Sequence, residues 1–480
     1  VHGSLTIHQL VITVAQHYLN LAGRYDAVNT TFFSEMLQSI AERSRALIKR
    51  ERREPAHERS AGLIELCEDL LSGRGEASGV ALAQEILARY AELTTGPRIA
   101  FFESLARTFG HDRPGIDRAI AAWRQSPSDA TAADLHTASE PLRLELFRRL
   151  NLAPGGTAAL VRMREQLLDA MHHRDDLGVV DNDFVHLFSS WFNRGFLVLR
   201  RIDWSTSAAI LEKIIRYEAV HEIRDWADLR RRIDPPDRRC YAFFHPALVD
   251  EPLIFVEVAL TRAIPAAIAP ILSDKRDPVE PRRANTAVFY SITNCQRGLA
   301  GVTFGHFLIK QVVEEVSREM SGVGTFVTLS PAPNFADWLN RERAKSVSPA
   351  LDDADREALS ALDTDGWWRA PETAERLRES FLRAAAWYYL RARNGRGLPV
   401  DAVARFHLGN GARLERLDWL ADTSERALRQ SYGLMVNYLY DLDYIERNHE
   451  AYAQQRAIVA ASAVSRLVTS PEREMVPVAG

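Results

Sequence analysis

The sequence predicts an α+β chain, with an all-α helical bundle over residues 1–178 and a mixed α/β domain over residues 179–480. Three observations predict it. From Ile7 to about His173 nearly every segment spaces its apolar residues three and four apart, the signature of a helix face. After Asp183 come runs rich in β-branched and aromatic residues, among them Arg238–Phe244, Pro252–Leu260 and Ala287–Ile292. Within Thr286–Pro331 a strand, a glycine turn, a helix and a second strand follow one another, the order from which a mixed sheet with a helix packed on it is built.

In the first part, Phe32–Ile48 and Leu82–Leu93 carry the helical pattern most plainly, and Pro97, Pro114, Pro127, Pro141 and Pro154 stand where helices start or stop. Arg50–Ser60 mixes both signs of charge and reads as a solvated helix end or loop rather than a nucleic-acid arm. His172 and His173 are adjacent, so on a helix they point about 100° apart and do not suit one metal ion. The polar stretch His172–Asn182 marks the domain boundary.

The second part opens with a strand at Gly195–Ile202 and a helix over Ala208–Arg232, then three strand-like segments. Arg262–Pro281 holds four prolines and reads as loop. Helices return between Asp355 and Asn394, Arg413–Leu420 alternates as a strand, and Thr423 caps a helix expected to run to about Tyr440. A helix and a loose tail follow Ala457.

At 480 residues the chain is long enough for a sizeable core, and 46% apolar with 26% charged residues is ordinary soluble composition. The net charge of −4 gives no bulk attraction for nucleic acid. Cys67, Cys240 and Cys295 are too few and too scattered for a disulfide framework or a zinc site and read as thiols. No stretch approaches the roughly 20 apolar residues of a membrane helix, and no secretory pattern opens the chain, so a cytoplasmic protein is expected. The chain begins at Val1 rather than Met, which leaves room for a leader upstream.

The chemistry centres on the glycine turn. Gln296, Arg297, Gly298, Leu299, Ala300 and Gly301 stand between a strand and a helix, where backbone N–H groups and the helix dipole both favour an anion such as a phosphate. A tight turn between two packed elements accounts equally well for the glycines alone. His407, in FHLGNGA, suits proton transfer near neutral pH. Asn410 stands close enough to hold its tautomer, and the phenol of Tyr438 is a donor for an oxyanion. His306, at the start of the helix after the turn, reads as surface.

Five stretches, HPALVDEPLIFVEVALT, AVFYSI, TLSPAPNFADWL, FHLGNGA and GLMVNYLY, taken in order from His245 to Tyr440, resemble the malonyl-CoA decarboxylase family, and the resemblance runs with gaps from about Ala88 to Tyr444. It implies an acetyltransferase-like (GNAT) catalytic domain after a helical domain that joins subunits, commonly into tetramers. It implies decarboxylation of malonyl-CoA to acetyl-CoA, with no metal and no cofactor, because the thioester is itself the electron sink. Acyl-CoA contacts are implied at Ala263, Ile264, Ala266 and Ala267 besides the glycine turn. His407 matches the family's proton donor and Ser291 is matched to its serine proton acceptor, so a Ser291–His407 pair is expected. Some members form disulfides between subunits, and no cysteine here is singled out for one. Lys275, Arg276, Arg282 and Arg283 are candidates for a CoA phosphate or belong to a solvated loop. Two other functions stay open: an acyltransferase using the same CoA-binding sheet, and a non-catalytic CoA-binding assembly protein.

Overall fold

A computed structural model describes residues 61–72, 76–302 and 308–468. The helix expected at Phe32–Ile48, the charged run Arg50–Ser60 and His306 lie outside them. The expected order, helices first and a mixed sheet after, is what is found. By compactness the chain divides into two units, one of Val1–Phe192, His245–Val249 and Gln296–Val302, the other of Asn193–Phe244, Asp250–Cys295 and Thr303–Gly480.

In the first unit the described helices are α1 (Ala61–Leu71), α2 (Glu76–Ala91), α3 (Thr95–Thr108), α4 (Arg113–Gln125), α5 (Asp129–Ala138), α6 (Leu142–Asn151), α7 (Gly156–Ala170) and α8 (Gly178–Trp191). Pro114 stands in the first turn of α4 and Pro141 caps α6, as the punctuation predicts. Phe147 and Phe184 stack at 4.2 Å in the core. The division falls between Phe192 and Asn193 rather than between residues 178 and 179. The polar stretch expected to be a joint is drawn into the bundle, because Asp181 binds the buried Arg164 at 2.8 Å and Asp183 binds the buried Arg143 at 2.5 Å. Both acids sit on α8, whose Val180, Phe184, Leu187 and Phe188 are core.

The second unit holds an eight-stranded sheet. Its strands are β1 (Val198–Ile202), β2 (Arg238–Phe244), β3 (Pro252–Thr261), β4 (Thr286–Asn294), β5 (Thr325–Thr328), β6 (Ser330–Pro331), β7 (Arg413–Asp418) and β8 (Met435–Leu439). Their order is β1-β2-β3-β4-β5-β8-β6, with β7 on β8. All pairs are antiparallel except β4–β5. The helices are α9 (Ala208–Tyr217), α10 (Trp226–Ile233), α11 (Ala269–Leu272), α12 (Leu308–Glu319), α13 (Phe335–Ala344), α14 (Asp353–Leu359), α15 (Pro371–Leu390), α16 (Ala402–Gly409), α17 (Glu425–Ser431), α18 (Ile445–Gln455) and α19 (Ser462–Ser465). α9 and α10 pack Ile210, Leu211, Ile214, Leu229 and Ile233 against Cys240, Ala242, Phe244 and Phe255 of the sheet.

Two segments depart from the sequence reading. The single helix expected over Ala208–Arg232 is two, because the Glu218 carboxylate accepts the N–H groups of Val220 and His221, both at 2.7 Å, and so takes donors a continuing helix needs. Asp225 then caps α10, accepting from Asp228 N at 2.7 Å. The helix expected to reach Tyr440 ends at Ser431. Ser424, not Thr423, caps it, and Tyr432 and Gly433 at φ 53° and 84° turn the chain into strand β8.

Gly411 shows where the fold needs glycine. Its φ is +82°, and a Cβ there would lie 2.0 Å from the Ile445 carbonyl oxygen. Gly411→Ala is expected to lower stability by about 1–3 kcal/mol or more, the usual scale of such strain. Urea unfolding checks this, and an unchanged midpoint would contradict the close approach.

Candidate active site

β4 and β5 run as a parallel pair from the Thr286–Thr325 rung to the Phe289–Thr328 rung, and Leu329 N then donates to Phe289 O at 3.0 Å. Beyond that point they part. Ser330 pairs with Val436 on β8, while Ser291 pairs with Glu257 on β3. A register shift on β3 between Glu257 and Val258 leaves Tyr290 as the extra residue of a bulge just where the strands separate, a common device beside functional sites. Past Phe289, the edge of β4 away from β3 pairs with no strand among the described residues.

His407 sits in the last turn of α16 rather than in a flexible turn, because Asp401 caps the helix by accepting Ala404 N at 2.7 Å and carries it through FHLG. Its imidazole is buried, with Nδ1 2.8 Å from the Tyr440 hydroxyl and Nε2 3.0 Å from Ser330 Oγ. Ser330 Oγ in turn donates to Thr328 Oγ1 at 2.9 Å. Tyr438 stacks its ring on the imidazole at 4.5 Å, and its buried hydroxyl faces that of Tyr389. Burial pushes His407 down to about 3, so the ring is neutral at pH 7.

The expected Ser291–His407 pair is not formed. Ser291 Oγ donates to the Glu218 carboxylate, at 2.8 Å to Oε2, and lies 3.2 Å from Thr293 Oγ1. Cross-strand pairing puts Ser291 on the face of the sheet that carries Glu257. Phe289 points to the other face, its ring 6.5 Å from that of Tyr440, the partner of His407. Asn410 does not hold the imidazole through either ring nitrogen, since the Tyr440 and Ser330 hydroxyls are there. Its Nδ2 donates to Phe406 O at 2.7 Å and closes the end of α16. Sequence reasoning missed Ser330 and Tyr440. Ser330 lies in the quoted TLSPAPNFADWL stretch, and in a strand Tyr440 falls on the same side as Tyr438, a signal hidden by reading GLMVNYLY as helix.

The glycine turn is a single 3-10 turn over Arg297–Leu299, part of the first unit. The N–H groups of Leu299, Ala300 and Val302 bond to carbonyls of Gln296, Arg297 and Leu299, which leaves fewer donors for an anion than the sequence suggests. Arg164 donates to Gly298 O at 2.9 Å, a Cβ on Gly298 would meet Val161 O at 2.0 Å, and Arg297 pairs with Asp169. Gly298 is thus required for close packing on α7, and Gly301 has φ +77°. The Ala263–Ala267 loop follows β3 at the end of the sheet where β4 begins. There the carbonyls of Ile264 and Pro265 accept from Arg416, at 3.3 and 2.6 Å. Arg276 is committed to the buried Asp237, at 2.5 and 3.1 Å.

Among the described residues no helix is long and apolar enough to cross a membrane, and no group of three metal-ligating side chains occurs. Cys67, Cys240 and Cys295 are free and buried.

Residues 195–477 match the malonyl-CoA decarboxylase C-terminal domain family, and residues 109–192 its N-terminal domain family. The solved malonyl-CoA decarboxylase of Rhodopseudomonas palustris is 59% identical, with a TM-score of 0.83, over 85% of this chain and 99% of that one. That of Agrobacterium vitis is 54% identical, with a TM-score of 0.82, over 85% of this chain and 100% of that one. The mitochondrial malonyl-CoA decarboxylase of Anser anser anser is 34% identical over 422 residues, 80% of this chain and 82% of the relative. On a family match over more than half of its length and on a relative 34% identical that it covers to 82%, the chain belongs to the malonyl-CoA decarboxylase family, whose carboxy-lyase reaction it shares.

Proposed function

We propose that this chain converts malonyl-CoA to acetyl-CoA and CO2 with His407 as the proton source and Ser330, in place of Ser291, as the hydroxyl that orients the malonyl group. The observation that carries this reading is the buried chain Tyr440–His407–Ser330–Thr328, with links of 2.8, 3.0 and 2.9 Å, whose serine stands where β4 and β5 separate. When the bond to the carboxylate carbon breaks, its electron pair passes to the α-carbon and on to the thioester oxygen, and CO2 leaves. A proton must then reach the α-carbon. As the α-carbon takes the Nε2 proton, the Tyr440 hydroxyl passes its own proton to Nδ1, so the ring stays neutral, and the tyrosinate regains a proton from water once CO2 has left. The thioester takes the electrons, and the low dielectric of a buried site favours a carboxylate losing its charge as CO2. Tyr438, stacked on the ring, keeps its expected place as a donor to the oxyanion.

The open edge of β4 supports an extended acyl carrier, whose amides can complete a strand edge. Acyl-CoA contacts at Ala263–Ala267 belong to the same proposal. The three buried free thiols support a reducing compartment, the cytoplasm.

His407→Asn is expected to lower kcat by about 10²–10⁴-fold, the scale of a general acid. Ser330→Ala should also be slow, and the double variant little worse than the poorer single one if the two act as a unit. Acetyl-CoA release from malonyl-CoA measures all three, and full turnover in His407→Asn would remove the mechanism.

A second expectation concerns stability. With His407 at about 3 when folded and about 6.5 when unfolded, the unfolded chain binds the proton first as pH falls. Stability from this residue is therefore intact above about pH 6.5 and lost progressively toward pH 3. The drop in Tm between pH 7 and pH 5 should be smaller in His407→Gln than in the parent, and an equal drop would refute the assignment.

The helical unit is proposed to join copies of the chain, as a tetramer. Neither α4 nor α5 buries a residue, and Trp123 on α4 is 42% exposed, which supports cover by a second copy. Sedimentation equilibrium should give a multimer that Trp123→Glu reduces to smaller species. A monomeric parent protein would end this reading.

A further inference from the structure

The face of β4 turned away from His407 carries a second set of buried polar groups that the mechanism above does not use. Glu218 is at its centre and is itself buried. One carboxylate accepts from Ser291 through both oxygens, at 2.9 and 2.8 Å, from Thr293 at 3.3 Å, and from the amides of Val220 and His221. Glu257, the cross-strand partner of Ser291, is fully buried and bonds to Arg232 at 3.2 Å. Beside them His221 Nε2, Glu257 Oε1 and the Tyr290 hydroxyl are buried without a protein partner.

Such a cluster is a costly way to fill a core, because a buried carboxylate gives up its hydration and apolar residues of similar volume serve stability as well. Its position suggests what it is for. Up to Phe289, β4 is held by neighbours on both edges. From Tyr290 onward it has β3 alone, and the bulge weakens the ladder at that same point. Ser291 and Thr293 are the side chains of the one-sided stretch that Glu218 grips. Charge-assisted hydrogen bonds are shorter and stronger than neutral ones, so a single carboxylate replaces the restraint that the lost neighbour would have supplied.

We propose that Glu218 is a positioning residue for the decarboxylation, fixing through Ser291 and Thr293 the half of β4 whose open edge receives the acyl end of the substrate. This rests on the reading of the fork as the site of malonyl-CoA decarboxylation. Glu218 does not touch the reacting atoms, and its effect passes through the backbone that Ser291 anchors.

The test is a double-mutant cycle on the full chain with Glu218→Ala, Ser291→Ala and the pair, read as kcat and KM for malonyl-CoA alongside Tm. A displacement of about 1 Å can cost up to about 10²-fold in turnover, so each single variant should lose about 10–100-fold in kcat, with KM and acetyl-CoA affinity changed far less. The double variant should be no slower than the slower single one, and Glu218→Gln, which keeps an acceptor for Ser291, should recover part of the rate. If Glu218→Ala fails to fold, Ser291→Ala removes only a hydroxyl and Ser291→Thr restores one, and that comparison carries the test. Parent-like kcat in folded Glu218→Ala or Ser291→Ala overturns the proposal, as does additive loss in the pair. A parent protein that releases no acetyl-CoA would instead overturn the functional reading beneath it.

Discussion

A strand that pairs with two neighbours over four rungs and then keeps only one sets the terms for this domain. β5 and β6 lie along the same edge of β8, so following β8 carries the chain away from β4 after Phe289–Thr328. An open backbone edge results, which a compact sheet ordinarily avoids. The same departure delivers Ser330 to the strand that also supplies Tyr438 and Tyr440. Because α16 lays His407 over those tyrosines, one divergence of strands assembles both an opening and the groups beside it.

The partners chosen for His407 matter as much as its burial. An imidazole beside a carboxylate is held protonated, whereas one between two hydroxyls pays the desolvation cost of its charged form with nothing to offset it. Burial alone accounts for its lowered proton affinity. The carboxyl nearest in sequence, Asp401, is spent on capping the helix, and burial raises it to about 6. The helix therefore uses its acid at the N-terminus, where the dipole favours a negative charge, and keeps its C-terminal histidine among neutral groups.

Much of this was legible in the sequence, and the failures have physical causes. β2, β3 and β4 stand within a residue or two of expectation and α12 follows the glycine turn in the expected order, because β-branched runs and an apolar stripe three and four apart are strong local signals. Glu218 falls inside the run Ala208–Arg232 that reads as one helix, since nothing local reveals that its carboxylate will take the amides of Val220 and His221. GLMVNYLY was assigned to a helix, since a short apolar run carries no periodicity that excludes one; Tyr440 was lost with it. The resemblance placed the histidine by a compact motif, but a serine must be chosen among several near one another. Only the register of β3, β4 and β8 decides which one His407 meets. The polar stretch His172–Asn182 reads as a joint because charged residues ordinarily stand in solvent, whereas Asp181, and Asp183 just beyond it, answer buried arginines.

The separation of the two serines across the sheet has an electrostatic sense. Had His407 met Ser291, the imidazole would share a site with the Glu218 carboxylate, and Glu257 would stand one strand away. Even at an effective dielectric constant of 20, a unit charge at 4 Å is worth about 4 kcal/mol, enough to hold an imidazole charged at pH 7. A fixed imidazolium would attract the malonyl carboxylate and stabilise the charge that decarboxylation must lose, raising the barrier rather than lowering it. With the acids on one face of β4 and the imidazole on the other, strand restraint and proton supply are handled by different groups. The carboxylate can then bind Ser291 tightly without setting the protonation state of His407.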